Sequence, residues 1–313
     1  NQTLPAQIAY SSGYNSMNVN AGEMKNSGFE LELGLVPVST RDLRWDVNIN
    51  YAKWKSEVVS LTEEFDELYL GNYVYAIAGE AYPVNKYSDF DRVMDETSPY
   101  YGRVIVDETT GLPTKSTDLF VSGQTTPKHI LGLQTYLKYK GFTAGISAEY
   151  RGGHVMRSGP AYDMLFPGID ARSASAGRER FVYPNSAINM GTADAPNYVE
   201  NEVHTTNDGN VDFWTGTYRS ISRPAVVNAA FWKIREISLY YDVPTTFLTQ
   251  NTGGFVKGVK AGFVGRNLFM FLPESNAYGD PEANDGTGND VGYSPGSAIP
   301  PTKSYGFNVA VTF

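Results

Sequence analysis

Six segments of the chain alternate between apolar and polar or small residues, which is the pattern of β-strands with one apolar face. They cover residues 29–35, 43–51, 131–139, 142–150, 259–269 and 305–313. Along each segment the apolar side contains no Lys, Arg, Asp or Glu. A charge that faces lipid near the bilayer midplane costs roughly 2–4 kcal/mol, and a sandwich core excludes charges as well. The alternation therefore predicts strands with one apolar face. It does not decide whether that face meets lipid or a sandwich core.

A seventh segment, residues 231–242, has its apolar residues in two different phases. Trp232 and Ile234 share one phase, whereas Leu239 shares the other with the apolar residues two positions before and after it. One extra residue near Arg235 and Glu236 would place both sets on the same face. The pattern therefore predicts a strand with a β-bulge at this point.

The aromatic residues favour a membrane over a sandwich core. They recur near both ends of the apolar faces, as in the pairs Trp45 and Tyr51, Phe142 and Tyr150, and Tyr305 and Phe313. Eight residues at ~3.3 Å each, tilted by ~40°, rise about 20 Å, close to the ~25 Å apolar band between the aromatic girdles of membrane barrels. A soluble core would favour Val, Ile and Leu throughout the strand.

The connections between the seven segments alternate between long and short. Long loops are predicted at about residues 57–126, 153–228 and 272–302, and short turns at 37–42, 140–141 and 244–254. This alternation is typical of barrels with long extracellular loops and short periplasmic turns. It predicts that the last strand runs towards the periplasmic side.

The amino-acid composition excludes several kinds of partner and structure. The formal net charge of −9 over 313 residues argues against nucleic acid, whose phosphates require a basic surface. The chain has no Cys, which excludes disulfides and thiolate metal sites. It also has no run of about 20 apolar residues of the kind that forms a membrane helix.

No catalytic or cofactor motif is recognised, so we expect no enzyme, no cofactor and no metal site. The three histidines, His129, His154 and His204, lack the spaced partners of a zinc site. Residues 280–286 are rich in Asp and Gly, but Asp285 stands where an EF-hand needs Gly, and no Glu closes the loop. Two interpretations of this segment stay open: a calcium contact and an ordinary turn. Trp214 is a weak candidate for stacking on a sugar, as is Tyr218, and packing within the loop is the alternative.

Four segments resemble the sequence patterns of one family, in the order of that family. Residues 20–32 are similar to its N-G-x-x-x-N-x-G-hydrophobic-E strand, and residues 123–133 to its G-x-x-x-P-x-x-x-x-G-L hairpin. Residues 230–241 are similar to its S-F-hydrophobic-R-hydrophobic-K-N-I-S-L-x-Y strand, with Ala for Ser and Glu for Asn. The pattern positions, which include a G-x-N-L-F and a D-P-E element, are Gly28, Glu30, Pro127, Gly132, Gly265, Asn267, Asp280, Pro281 and Glu282. The chain thus resembles SusC/RagA-type TonB-linked (TonB-dependent) outer-membrane transporters.

The resemblance implies an all-β fold, an antiparallel transmembrane β-barrel of about 22 strands with an N-terminal plug. Residues 1–313 would form a partial wall from the C-terminal part of that barrel, roughly seven strands. We expect the plug, the segment that contacts TonB and the leader peptide to lie outside this sequence. The last strand resembles the closing strand of a bacterial outer-membrane barrel, and its assembly signal would be Tyr305, Phe307, Val309, Val311 and Phe313.

The function implied by the resemblance is energised nutrient import across the outer membrane of a Gram-negative bacterium, by a multi-pass protein. A SusD-like surface lipoprotein would deliver an oligosaccharide or a peptide, and TonB would act through the missing N-terminal part. Lipid and lipopolysaccharide would surround the wall, and the barrel-insertion machinery would bind it during assembly. One alternative is a non-transporting structural subunit of an envelope complex, and a second is a secreted β-sandwich that binds glycans.

Overall fold

A computed structural model describes residues 3–20, 22–61, 65–283 and 291–313 of the chain. Its strands are β1 (Thr3–Gln7), β2 (Ser16–Asn20), β3 (Glu23–Ser39), β4 (Leu43–Ser60), β5 (Glu67–Gly71), β6 (Val74–Ile77), β7 (Val84–Phe90), β8 (Val104–Val106), β9 (Lys115–Gln124), β10 (His129–Tyr139), β11 (Phe142–Gly152), β12 (Val155–Ser158), β13 (Ser186–Asn189), β14 (Tyr198–Glu200), β15 (Val226–Asn228), β16 (Phe231–Asp242), β17 (Gly258–Phe271), β18 (Tyr293–Ser294) and β19 (Ser304–Thr312). The α-helices are α1 (Gly159–Asp163), α2 (Tyr218–Ser220) and α3 (Thr245–Thr252). Short 3₁₀-helices cover Tyr10–Ser12, Ala171–Ala174 and Arg223–Ala225, and a π-helix covers Asp212–Thr217.

The main sheet has seven strands in the order β19-β17-β16-β11-β10-β4-β3. Every neighbouring pair is antiparallel, and the seven strands are those that the alternating pattern predicts. Two of them extend well beyond the predicted limits, since β3 begins at Glu23 and β4 continues to Ser60. Those extensions pair with each other in a polar part of the chain, where alternation of apolar residues gives no signal. Ala21, in the first family-like segment, lies outside the described residues.

The predicted β-bulge in β16 is confirmed. Ile234 pairs with Ala148 and Glu236 pairs with Ser147, so that two residues of β11 face three of β16 and Arg235 is the extra residue. The register between β16 and β17 shifts at the same place. The bulge keeps the apolar residues before and after it on one face of the sheet.

The apolar residues of the main sheet form continuous rows across the strands. One row runs through Leu31, Tyr51, Leu131, Tyr150, Trp232 and Phe271, which are partners in successive pairs. Many large side chains on this face are exposed, from 38% for Trp232 to 79% for Tyr305, while Tyr51, Leu131 and Tyr150 in the row are half-buried. Aromatic contacts lie at both ends of the face: the ring centroids of Tyr150 and Trp232 are 5.2 Å apart, and those of Phe142 and Tyr241 are 4.5 Å apart.

The buried core lies in the long connections and at the adjoining end of β4, rather than on the apolar face of the sheet. Its clusters are Val58 with Leu68, Ala76 and Tyr82; Phe90 with Val104 and Ile221; and Met156 with Val227 and Ala229. In an ordinary soluble domain the apolar face of a sheet packs against another layer and forms the core. In this structure the apolar face of the main sheet is not part of the buried core, which lies elsewhere.

The three long connections contain short strands that the sequence pattern does not reveal. Strands β5, β6, β7 and β9 form a sheet within the first connection. The parallel pair β8–β13 joins the first connection to the second, and the parallel pair β12–β18 joins the second to the third. Because the main sheet is antiparallel throughout, all three connections leave it at the same end.

The connection between β16 and β17 holds helix α3 rather than a simple turn. Pro244 precedes the helix, and Gly253 ends it in the left-handed conformation with φ of 63°. Proline before a helix and glycine after it are ordinary boundary signals. In the described part of the chain, none of the helices combines the length and the apolar character needed to cross a bilayer.

Candidate functional site

A cluster of six charged side chains lies on the polar face of the main sheet. Its cations are Arg151, Lys233 and Arg235, and its anions are Glu149, Asp280 and Glu282. Glu149 and Arg151 come from β11, Lys233 and Arg235 from β16, and the remaining two from the third connection. We call these six residues the charged cluster. Its formal charges cancel.

The strands place these residues together for simple reasons. Glu149 and Lys233 are direct partners in the pairing of β11 with β16. Alternation puts Arg151 on the same face as Glu149, two residues later. The bulge makes the side chain of Arg235 available on this face as well, where its Nε donates to Glu149 Oε2 at 2.8 Å.

The third connection is bound to this face through Asp280 and Glu282. Lys233 Nζ donates to both carboxylate oxygens of Asp280 at 2.7 Å and to Glu282 Oε2 at 2.5 Å. Arg235 donates to both oxygens of Glu282, at 2.7 and 2.5 Å. Charge-assisted and bidentate pairs of this kind are the strong hydrogen bonds of proteins. The cluster therefore fixes the third connection over β11 and β16.

Because part of the charged cluster is buried, its charges are stabilised by one another rather than by water. The side chains of Lys233 and Asp280 are 5% and 7% exposed. Burial opposes ionisation of Glu282, but hydrogen bonds from Arg235 and Lys233 outweigh it and lower the pKa of its carboxyl to about 2. Removing one partner from such a group leaves an uncompensated buried charge.

The cluster explains part of the family-like pattern. Asp280 and Glu282 are the acidic positions of the D-P-E element, and Lys233 belongs to the 230–241 segment. No sequence pattern predicts Glu149, Arg151, Lys233 or Arg235 as site residues. Their signal was charge on the polar face of two neighbouring strands, which alone is ordinary for an exposed surface.

Other pattern positions have structural roles near the cluster. Glu30 and Gly132 line a groove on the polar face together with Glu149 and Arg235. Gly28 is required by close approach, because a Cβ there would lie 2.3 Å from the backbone oxygen of Lys53.

The remaining pattern positions lie in β17 and in a cavity above the sheet. Asn267 has a φ of 53° and donates through Nδ2 to the backbone oxygen of Thr302 at 3.3 Å. Asparagine tolerates this left-handed conformation better than most residues. Gly265 packs beneath the side chain of Leu268. Pro127 and Pro281 line a cavity of about 300 Å³ between the long connections and the main sheet.

The two candidate sugar-stacking residues lie together in the second connection. The ring centroids of Trp214 and Tyr218 are 5.2 Å apart, and Tyr218 also contacts Phe90. Trp214 lines a cavity of about 380 Å³ with Phe166 and Val211, both of which are exposed. Tyr218 is thus packed into the loop core, whereas Trp214 keeps access to an open cavity.

Four of the predicted assembly residues lie on one face of β19, and the fifth, Phe313, directly follows the strand. Tyr305, Phe307, Val309, Val311 and Phe313 are 79%, 60%, 55%, 44% and 64% exposed. Phe307 packs against Phe263 of β17, with ring centroids 4.9 Å apart. Their part in assembly stays a prediction.

The acidic residues considered for calcium bind protein cations instead. Asp280 and Glu282 are engaged by Lys233 and Arg235, while Asn284, Asp285 and Gly286 lie outside the described residues. Over residues 3–20, 22–61, 65–283 and 291–313, no three His, Asp or Glu side chains are grouped so as to hold a metal ion. Of the histidines, His129 shares a hydrogen bond of 2.8 Å with the hydroxyl of Tyr51.

Comparison with known proteins gives related sequences and folds. The chain is 23% identical over 248 residues to the TonB-dependent receptor SusC of Bacteroides thetaiotaomicron, which covers 76% of this chain and 22% of that receptor. The RagAB peptide transporter structure matches with a TM-score of 0.61 and 17% identity, over 98% of this chain and 31% of the other. The RagAB peptide importer in its open-open state matches with a TM-score of 0.64 and 18% identity, over 100% and 31%. The resemblance to SusC/RagA-type TonB-dependent receptors is confirmed.

The SusC/RagA-type chains are much longer than this sequence. It spans about a fifth of the curated relative and under a third of the solved chains. No family model matches it. The fold it shares with the RagAB structures is the antiparallel sheet with its connections, and these relatives are transporters and receptors rather than enzymes.

Proposed function

We propose that this chain is barrel wall and loop region of an outer-membrane TonB-dependent importer of the SusC/RagA type. The importer would take up an oligosaccharide or a peptide in a Gram-negative bacterium. The observation that carries this proposal is the exposed apolar face of the main sheet, with aromatic residues at both of its ends. Such a face is stable in a lipid bilayer, because its side chains contact acyl chains instead of water.

The polar face supports the same assignment. It carries the charged cluster, the groove with Glu30 and Gly132, and the attachment of the third connection. A barrel wall needs this asymmetry because its inner surface is polar and its outer surface is apolar. The charged residues of the six regular strands all lie in the inner phase, and the outer phase is free of charge within the predicted limits.

The long connections would form the extracellular mouth in this proposal. They leave the sheet at one end and pack into a body with its own buried clusters. A SusD-like lipoprotein would dock there and deliver substrate, and Trp214, with its open cavity, is a candidate contact. TonB would act through a part of the importer outside this sequence.

Depth-dependent fluorescence quenching tests the membrane assignment. Two single-tryptophan variants of the full-length protein retain either Trp232 on the apolar face or Trp214 in the second connection. In vesicles with brominated acyl chains, we expect strong quenching of Trp232 and little quenching of Trp214. Equal quenching of both residues, or of neither, would contradict the membrane assignment and revive the sandwich alternative.

Purification from native membranes tests the transport assignment. We expect a surface lipoprotein to co-purify with the full-length protein, together with a bound oligosaccharide or peptide that mass spectrometry identifies. Stable association with secretion or insertion machinery, without lipoprotein or ligand, would instead indicate a structural subunit.

A further inference from the structure

A cavity of about 300 Å³ lies where the three long connections meet the main sheet. The first connection contributes Thr125, the second His154, and the third Pro281 and Glu282. Arg151 and Phe231, from β11 and β16, form the part of the lining that belongs to the sheet. The cavity thus borders the charged cluster.

Two buried polar atoms in this lining have no hydrogen-bond partner among the described residues. They are Thr125 Oγ1, in a residue that is 2% exposed, and His154 Nδ1. Burial, and then the charge of Arg151, lower the pKa of His154 to about 4, so its ring is neutral at pH 7. Buried groups of this kind normally find a partner in protein, water or ligand.

Arg151 supplies further donors. Its Nε donates to Glu149 at 2.5 Å, whereas its Nη2 lies 3.6 Å from Glu282, beyond hydrogen-bond distance. Its terminal N–H groups therefore make no hydrogen bond within the described ranges. Oε2 of Glu282 accepts from Lys233 and Arg235, and its Oε1 accepts from Arg235, so those two side chains rather than Arg151 hold this carboxylate.

These donors define the chemistry that the cavity can hold. Guanidinium N–H groups only donate, and the hydroxyl of Thr125 can donate as well, so the ligand must present acceptors. The planar fork of a guanidinium matches a carboxylate or a phosphate, and of these two groups the substrate classes of the proposed function supply the carboxylate. Phe231 and Pro281 provide apolar walls beside it.

We propose that this cavity binds a carboxylate carried on a small body with an apolar face, held by Arg151, Thr125 and His154. The proposal rests on the proposed function, since both substrate classes supply such a group. The carboxyl terminus of a peptide is one source, and an acidic sugar is the other. The cavity would then capture one end of the substrate at the base of the loops.

Calorimetric titration of the full-length protein in detergent tests the chemistry. The probes are N-acetyl-L-alanine, its uncharged amide, D-glucuronate and D-glucose. We expect each acid that binds to exceed its neutral counterpart at least tenfold in affinity. A peptide source predicts that N-acetyl-L-alanine binds at least tenfold more tightly than D-glucuronate, and a sugar source predicts the reverse. Equal affinity of acid and neutral probe, or binding of none, would overturn the proposal.

Two substitutions locate the site. Thr125→Val keeps the side-chain volume and breaks no hydrogen bond within the protein, and we expect it to weaken acid binding at least fivefold. Arg151→Lys keeps the charge but loses the fork, and we expect at least a tenfold loss. Thr143→Val, on the same polar face at the far end of β11, is the matched control and should leave affinity unchanged. Unchanged affinity in Thr125→Val would refute the site.

The tests of the proposed function separate its failure from failure of the site. If Trp232 is quenched by brominated lipid and a lipoprotein co-purifies, yet no acid probe binds, the importer assignment stands and the carboxylate site is wrong. If acid probes bind but Trp232 is not quenched, the site stands without the membrane assignment.

Discussion

Lys233 Nζ lies 2.7 Å from both carboxylate oxygens of Asp280, and this contact joins β16 to the third connection across 47 residues of sequence. Both side chains are almost fully buried, at 5% and 7% exposure. Each charge therefore depends on the other for solvation. The pair holds in place the connection that borders the proposed carboxylate cavity.

Replacing Lys233 by Met should strongly destabilise the third connection. Asp280 would lose its cation and Glu282 would keep Arg235 and the more distant Arg151, and breaking a buried pair in this way costs about 3–5 kcal/mol. We expect a lower melting temperature and faster proteolytic cleavage within residues 272–303 of the full-length protein. Both are measured in detergent against the unaltered protein.

Lys260→Met is the control for this substitution. Lys260 also lies on the main sheet, but it is 45% exposed and 3.6 Å from Asp242, so its loss should cost less than about 1 kcal/mol. The double variant Lys233→Met/Asp280→Leu removes both buried charges and should recover much of the lost stability. Equal losses in the two single lysine variants would refute the role of the buried pair.

Acid should weaken the same attachment through Glu282. Because the folded pKa of its carboxyl, about 2, is below the ordinary value of 4.5, its contribution to stability is fully present above about pH 4.5. That contribution should be lost progressively as the pH falls from about 4.5 to about 2. Melting temperatures measured across this range in the unaltered protein and in Glu282→Gln isolate it.

The comparison with Glu282→Gln cancels the titration of other carboxylates. At pH 7 the variant should be the less stable protein, and the difference should shrink towards pH 2. A difference that stays constant over this range would show that ionised Glu282 does not stabilise the fold.

The strands of the main sheet could be predicted because their signal is local. Alternation over about eight residues identifies each strand, and the change of phase between Ile234 and Ile237 is sufficient to predict the bulge at Arg235. The same argument fails for β8 and β13, which have three and four residues and pair in parallel across about 80 residues of chain. Strands of that length exist only because the connections pack together.

The charged cluster could be predicted only in part. The resemblance selected Asp280 and Glu282, but no periodicity connects them to Lys233, and charge alone does not indicate which cation they meet. The cavity was not foreseen for a related reason. Thr125 and His154 are unremarkable in the sequence, and only the fold brings them to one lining.

Adding a methyl group at Gly262 should disturb β17. A Cβ there would lie 2.3 Å from the ring of Tyr240 and 2.5 Å from the backbone oxygen of Leu239, so we expect Gly262→Ala to cost about 1–3 kcal/mol. Gly258→Ala, in the same strand and phase, meets Thr312 only at 3.6 Å and should be tolerated. Melting temperatures of the folded protein in detergent compare the two. Similar melting temperatures in the two variants would show that packing against Tyr240 does not require glycine at position 262.

A charge should be tolerated on one face of β4 and not on the other. Ile49 lies in the apolar rows between Leu33 and Leu133, whereas Asn48 lies on the polar face and is exposed. Arginine facing lipid near the midplane costs roughly 2–4 kcal/mol, so Ile49→Arg should reduce folding into vesicles of the full-length protein, and Asn48→Arg should not. Folding yield is measured by resistance to protease after dilution from urea into vesicles. Because the two positions are adjacent, they share strand, depth and neighbours in sequence, and only the face differs. Equal yields would mean that neither face meets lipid.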